Sequence, residues 1–541
     1  MKSIFTSLFV LFCFSLFAQP GALDSSFGTN GMHNIVANDD PHYYGRKLVK
    51  VLPDGRIIVT YFLQSVDSAD GSNDFGIMCL YPNGTLDQSF GTNGFAKVPF
   101  GVNGARSNGK LWSIAVQPDG KIILAGQVEP HTVINNNAGD IGVARLNANG
   151  TIDSTFNKNG RKQIDLREYS SPGSTCYNTD ICTGVVITPD GHILLSGYTA
   201  TDCSRYILNH DAFVVRLNQN GSFNKTFANG GVQIFSTPDT DEIINFSALQ
   251  NGKLLLMGTT KKAKLPNTAT NILLERVNAT GALDSTFNGT GHRVTNVGQR
   301  SIEDGRGLAV LSGGKILVAV QSDDSIFLVR YNPNGTFDNT FGPKGRVFVN
   351  TGGGLSSLSV APDGKIIVTI NDFTVYCFLP DGTKDGNFGT NGYTQLNNPF
   401  TNCLASTVQP DGKIVAAGTL RIPVKFGQLP TDLEVRFPGD VQTSANNNYI
   451  AAMKPALSNG GFEVSVYQNP SPDHFGVRIS GKSANEQITI KVMDFSGKVM
   501  EVFTGVKAGE VKQFGSKYPA GTYLLDVSQG RNHKSVTVLK L

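Results

Sequence analysis

Two short motifs, each written seven times and offset from one another by half a unit, constrain this chain more than any other feature. The first is an apolar stretch, a tight turn and a second apolar stretch. It stands at Pro53-Asp54-Gly55, Pro118-Asp119-Gly120, Pro189-Asp190-Gly191, Pro362-Asp363-Gly364 and Pro410-Asp411-Gly412, with degenerate copies at Asn251-Gly252 and Ser312-Gly313-Gly314. Proline presets φ at the first turn position, and glycine takes the positive φ that closes a hairpin. The flanks, such as Ile114-Ala115-Val116 and Ile122-Ile123-Leu124, are strand-like. The second motif is a phenylalanine followed four residues later by glycine: Phe27/Gly31, Phe90/Gly94, Phe156/Gly160, Phe227/Gly231, Phe287/Gly291, Phe341/Gly345 and Phe388/Gly392. Most copies follow an Asn-Gly turn, as at Asn83-Gly84 and Asn149-Gly150, which in turn follows a strand such as Val143-Ala144-Arg145-Leu146.

Each unit therefore holds four strands. Successive motif phenylalanines lie 63, 66, 71, 60, 54 and 47 residues apart, a period that suits the blades of a β-propeller. The phase of the motifs adds a constraint. The chain opens on a Phe/Gly motif with no hairpin before it and ends its repeats on the hairpin at Gly412 with no Phe/Gly motif after it. A strand around His33 to Val36 would then complete the sheet that begins near Leu404. An open solenoid would need capping repeats instead. The expected fold is all-β: a seven-bladed β-propeller closed by the N-terminal strand, plus a small C-terminal β-sandwich.

Residues 1–18 read as a signal peptide: Lys2, then an uncharged apolar run from Ile4 to Phe17, then Ala18. That run is shorter than the roughly 20 residues a membrane span needs, and no later segment is apolar enough, so the mature chain is expected to have no transmembrane segment. Residues 19–440 form the propeller, 441–463 an Asn/Ala/Gly-rich linker, and 464–541 a unit of about seven short strands. Charged residues are only 16% of the chain and net charge is +3, so nothing favours nucleic acid or a membrane surface as partner.

The repeats, exemplified by Gln117-Pro118-Asp119-Gly120-Lys121-Ile122-Ile123, Arg145-Leu146 and Asp153-Ser154-Thr155-Phe156, resemble the delta-60 repeats of secreted bacterial propellers. That resemblance implies a propeller and no agreed activity. The tail resembles the type A sorting domain of the type IX secretion system of Bacteroidetes-type bacteria. The matching residues are Asn469 and Pro470 within Tyr467–Pro472, Asp494 and Gly497 within Asp494–Lys498, Gly521 and Tyr523 within Pro519–Tyr523, and Lys540 in the final strand. The resemblance implies passage across the outer membrane, with the type IX machinery as partner of residues 464–541. Release or surface attachment would follow.

The residues offer little chemistry. Six cysteines follow the signal segment, none in metal-ligand spacing, and the export route permits disulfides. If the third hairpin turns between Pro189 and Asp190, Cys176 and Cys203 fall opposite one another and pair. Cys79 and Cys182 read as small buried residues, and Cys377 and Cys403 stay unassigned. Eight scattered histidines form no cluster, and no metal site, cofactor or catalytic group is expected. Aspartates repeated before each motif phenylalanine (Asp87, Asp153, Asp284, Asp338) recur too regularly for a catalyst and are expected to bond backbone. The sole tryptophan, Trp112, reads as core. Asp39, His42, Tyr43 and Tyr44 form the one loop cluster offered as ligand-binding. The tight turns all fall on one end of the units. The connections at the other end vary and are long in the first four, which is where a binding face is expected. The expected role is a binding module for an unidentified extracellular glycan or protein. An enzyme acting on extracellular glycans and a purely structural surface or adhesion protein are the alternatives.

Overall fold

The computed structural model describes residues 23–35, 46–61, 74–101, 107–130, 139–170, 179–200, 210–237, 240–262, 269–298, 302–396, 401–424, 427–438, 463–467, 475–480, 487–494, 498–507, 510–519, 521–529 and 532–540. The chain divides into two compact units, Met1–Val441 and Gln442–Leu541. Among the described residues helix is confined to one turn, Arg167–Ser170, and two short 3-10 turns.

The first unit is all-β and propeller-like, built from four-stranded antiparallel sheets. Sheets 1 to 6 each take four consecutive strands: Val49 to Val98, Ser107 to Ile164, Asp180 to Phe235, Thr240 to Thr295, Glu303 to Thr351 and Leu355 to Gln395. Sheet 7 takes three strands, Thr401–Val408, Ile414–Val424 and Gly427–Phe437. Its fourth is Met32–Ile35 from the other end of the chain, which pairs antiparallel with the last of these, Met32 opposite Val435.

Successive residues of a strand face opposite sides of its sheet. Here both sides are buried, which explains the unbroken apolar runs. In sheet 2, Ile122 and Leu124 pack on Ile58 and Ile77 of sheet 1, while Ile123 and Ala125 pack on Ile193 and Val215 of sheet 3. The pattern recurs between sheets 3 and 4, 4 and 5, 5 and 6, and 6 and 7. Val415 and Ala417 of sheet 7 then pack on Ile57 and Val59 of sheet 1.

The motif phenylalanines lock these contacts. All seven are at most 2% exposed, and six press on the glycine that closes the Asn-Gly or equivalent turn of the following sheet. A Cβ on Gly84 would come within 2.7 Å of Phe27, and one on Gly150 within 2.7 Å of Phe90. These glycines also sit at φ +82° and +83°, so the turn demands glycine twice over.

Residues of the second unit form two sheets sharing one core. One is Glu463–Tyr467, Phe475–Ser480 and Val511–Phe514. The other is Val499–Val506, Ile488–Asp494, Gly521–Gln529 and Asn532–Lys540 in that order. Phe475, Val477, Ile490, Leu525 and Val527 fill the space between them.

Candidate functional site

Three places in the first unit gather polar chemistry. The first is where the opening strands of the sheets come together. In six sheets that strand carries a β-bulge at one fixed place, skipping Trp112, Thr183, Asn245, Arg306, Ser356 or Leu404. Each of these stands six residues before its hairpin turn, as does Lys47 in sheet 1. A bulge re-aims the extra side chain. Thr183 Oγ1 donates to the Ile244 carbonyl of the next sheet at 2.6 Å, Ser356 Oγ to Cys403 O at 2.8 Å, and Arg306 Nη1 to Leu355 O at 3.3 Å. Trp112, expected in the core, is half-buried at this bulge instead. Residue type differs at every bulge, so the sequence offers no visible pattern. Arg46 reaches from sheet 1 to sheet 4, donating to Asn245 O at 3.2 Å with its guanidinium 4.4 Å over Phe246. Burial pulls the Arg46 pKa down to about 10, Asp304 opposing and Arg306 adding to the fall.

The second place is the acidic group Asp140, Asp165 and Asp180, whose carboxylates lie within 4.8 Å of one another. Burial pushes Asp180 up to about 7, and the two neighbouring carboxylates add to it. Asp180 is fully buried and already accepts from Thr199 Oγ1 at 2.5 Å and Leu166 N at 2.8 Å. Asp140 accepts from Gln163 at 2.6 Å, and Asp165 from Arg167 at 2.6 Å. Each acid is held by the protein, and the innermost faces no solvent.

The third is a clamp at the turn end of each sheet junction. The aspartate before the motif phenylalanine accepts from the backbone two residues on, as at Asp153 from Thr155 N at 3.0 Å. This is the role expected of it. In sheets 2, 4 and 5 the clamp also contains an arginine eight residues earlier and a lysine just after the hairpin turn, which the sequence reading missed. Arg145 Nε donates to Asp153 Oδ2 at 2.7 Å, and Lys121 lies 3.1 Å from the same oxygen. Arg276 and Lys253 hold Asp284 likewise, and Arg330 and Lys315 hold Asp338. Burial alone would raise these carboxyls. The hydrogen bonds from Thr155, Thr286 or Thr340 and from the lysine, with the arginine charge, outweigh it and hold all three well below the usual range. The arginine then crosses to the next sheet, Arg145 to Gln219 O, Arg276 to Pro333 O and Arg330 to Pro380 O. At sheet 7 the aspartate is Asp24, bound by Arg436 at 2.8 Å and Lys413 at 3.2 Å, and Arg436 crosses to Pro82 O of sheet 1 at 2.5 Å.

A family model described as "Domain of unknown function (DUF5122) beta-propeller" matches residues 52–90, 117–156 and 312–341, and one described as "Secretion system C-terminal sorting domain" matches residues 465–540. The chain carries DUF5122 propeller repeats of the delta-60 type and a type IX sorting domain. No curated protein matches it. Among solved structures, a selenomethionine-substituted virginiamycin B lyase from Staphylococcus aureus is similar at 11% identity and TM-score 0.40, over 75% of this chain and 99% of that one. A protein from Lactobacillus plantarum is similar at 12% identity and TM-score 0.30, over 73% and 99%. At these scores neither bears on what the DUF5122 repeats do here.

In the sorting domain, Asp494 pairs with Tyr523 and Gly521 with Lys540, so four motif residues meet at one end of the four-stranded sheet. Asp494 Oδ1 accepts from Lys498 N at 3.0 Å, Tyr523 donates to Pro519 O at 2.8 Å, and Lys540 is buried. Cys79, Cys182, Cys377 and Cys403 of the repeats are all buried. Cys377 and Cys403 share the core between sheets 6 and 7. The signal segment, Asp39, His42, Tyr43, Tyr44, Cys176, Cys203, Asn469, Pro470 and Gly497 lie outside the described residues. No helix among the described residues is long and apolar enough to cross a membrane.

Proposed function

We propose that this is an exported seven-bladed propeller, closed through its N-terminal strand, that binds a partner or glycan outside the cell with the end opposite its turns. The sorting domain indicates secretion across the outer membrane or attachment at its outer surface, through the type IX machinery. Closure is supported at three levels: the pairing of Met32–Ile35, the packing of sheet 7 on sheet 1, and the Asp24–Arg436–Pro82 clamp. A closed sheet arrangement leaves no edge to aggregate.

The observation that carries the binding role is the asymmetry of the connections between second and third strands. They run from Thr60 to Phe75, Pro130 to Asp140, Ala200 to His210 and Lys262 to Asn271 in sheets 1 to 4. In sheets 5 and 6 they shrink to Ser322–Ser325 and Ile370–Thr374. A clamped frame with long connections gathered on one side is an arrangement for recognition. The segment with Asp39, His42, Tyr43 and Tyr44 precedes the first strand of sheet 1 in the sequence and is included in the proposed surface.

The register of sheet 3 supports the disulfide. At the open end of its first hairpin Asp180 stands opposite Thr199; a hairpin continued in that register for four more residues would set Cys176 opposite Cys203. Peptide mapping of the secreted protein without reductant should recover the two cysteines in one linked peptide, and recovery of both as free thiols removes the staple.

The binding role is tested by screening the full chain against a glycan array and against envelope and medium proteins of the native bacterium. The companion variant replaces residues 201–209 with the Asp323-Asp324 turn of sheet 5. A ligand held by the wild type and lost by a folded variant supports the surface. Undiminished binding by that variant places recognition elsewhere.

A further inference from the structure

The opening strands hold one charge that the fold leaves unanswered. From bulge to turn they comprise residues 47–52, 112–117, 183–188, 245–250, 306–311, 356–361 and 404–409, and these seven stretches contain no Asp or Glu. Their charged residues are Lys47, Lys50 and Arg306. Lys47 is paired with Asp432 and Glu434, and Arg306 Nε donates to Asp304 Oδ2 at 2.8 Å. Lys50 meets no acceptor among the described residues. Its side chain is exposed, yet burial pulls its pKa down and no carboxylate opposes the fall. Solvent therefore reaches an ammonium that protein surrounds.

Neighbouring opening strands bond to one another. Arg46 N donates to Leu111 O at 3.0 Å between sheets 1 and 2, and Val185 N to Ser113 Oγ at 3.1 Å between sheets 2 and 3. In the closed ring proposed above these strands enclose an axial channel, and the inference rests on that closure. Arg46 links sheets 1 and 4, which are not neighbours, so it crosses the channel at the bulge end. Lys50 stands three residues on from the bulge position, about 10 Å along the strand. At the same place before the turn the other sheets carry Ala115, Val186, Ala248, Ala309, Ser359 and Thr407, all half-buried. An enclosed charge is costly without a counter-charge, and these walls supply none. One ammonium neutralises one negative charge. Small aliphatic walls leave room for a hydrocarbon chain and favour it over a hydrated inorganic anion. A peptide threaded past Arg46 would bring N–H and C=O groups to walls that cannot bond them, whereas a linear acid brings only its carboxylate. We propose that the channel binds a small linear monocarboxylate, its head group on Lys50 and its chain along the alanines and Val186.

The test is isothermal titration of the full chain with butyrate, with butyramide, chloride and inorganic phosphate as comparators. Butyrate should bind at least about tenfold more tightly than butyramide, the margin of a charge-assisted hydrogen bond, and neither inorganic anion should match it. Lys50→Met should erase the preference for the acid over the amide without lowering the melting temperature, since the lysine has no partner to lose. Lys50→Arg should keep the preference. The ring is checked separately by the double variant Met32→Cys with Val435→Cys, two residues that face each other across the closing strand pair and should join in a disulfide. If that bridge forms and butyrate does not bind at millimolar concentration, the site is overturned and the ring stands. If the bridge does not form, closure fails and the channel falls with it. The proposal also fails if chloride or phosphate binds as tightly, if Lys50→Met keeps the preference, or if Lys50→Met melts lower, which would mean that the protein already supplies the counter-charge.

Discussion

An aspartate repeated from sheet to sheet invites a catalytic reading, and here its surroundings account for it without one. Asp153, Asp284 and Asp338 each satisfy a backbone N–H, a threonine hydroxyl, an arginine and a lysine. Removing one partner strands a mostly buried arginine. Asp284→Ala is therefore expected to cost about 3 kcal/mol, and urea unfolding that shows under half of that would mean the arginine finds water instead. The aspartate was legible in the sequence because it sits beside its phenylalanine. Its arginine partner was not, because eight residues carry it across a turn and a cysteine stands at that position in sheets 1 and 6, Cys79 and Cys377.

A second set of acids has the opposite sign. Burial pushes Asp180 and Glu242 up to about 7 and Glu275 and Glu434 up to about 8, neighbouring carboxylates adding in each case. These groups hold a proton more tightly folded than unfolded. Their stabilisation is complete below the ordinary carboxylate range and drains as pH rises through 7 and 8. The clamp acids, held low (Asp24 at about 2), contribute above that range and lose their contribution as pH falls through it. The melting temperature should therefore peak at about pH 5 and decline toward pH 9. Glu434→Gln should flatten the alkaline decline and change little at pH 5. A melting temperature that climbs steadily to pH 9 would contradict the assignment.

At the scale of elements, the junction between sheets 7 and 1 differs from the others in one respect. Where sheets 4 and 5 present Ile272 and Leu274, or Ile326 and Leu328, toward the next sheet, sheet 7 presents Asp432 and Glu434. Buried Lys47 answers them, 2.9 Å from Asp432 and 3.6 Å from Glu434. One cation facing two carboxylates is neutral when Glu434 keeps its proton, which agrees with its raised pKa. Lys47→Met should cost about 3–5 kcal/mol, because a buried carboxylate is left without its partner. Phe27→Ala, at the same junction, should cost about as much, 3–5 kcal/mol, through lost contact and a cavity. The sequence made the pairing of Met32–Ile35 with the last repeat legible through the phase of its motifs. It could not reveal the Lys47 pair, since the two ends of the repeat region carry its members and no local pattern joins them.

For the whole molecule, the repeats and the sorting domain form separate units, and delivery of the first by the second can be tested by cutting between them. A chain ending at Val441 keeps the seven sheets, their inter-sheet cores and the Asp24–Arg436 clamp, and it loses the strands where Asp494, Gly521, Tyr523 and Lys540 meet. Expressed in a bacterium with an intact type IX system, it should pass the inner membrane on its signal segment and accumulate in the periplasm, folded and resistant to mild proteolysis. The full chain should appear in the medium or on the cell surface. The converse swap, Gln442–Leu541 fused behind an unrelated periplasmic protein with its own signal, should carry that passenger outside. Truncated protein found outside at the level of the full chain would mean that the propeller, and not the sandwich, holds the address; a passenger left in the periplasm would mean that the sorting domain needs the repeats beside it.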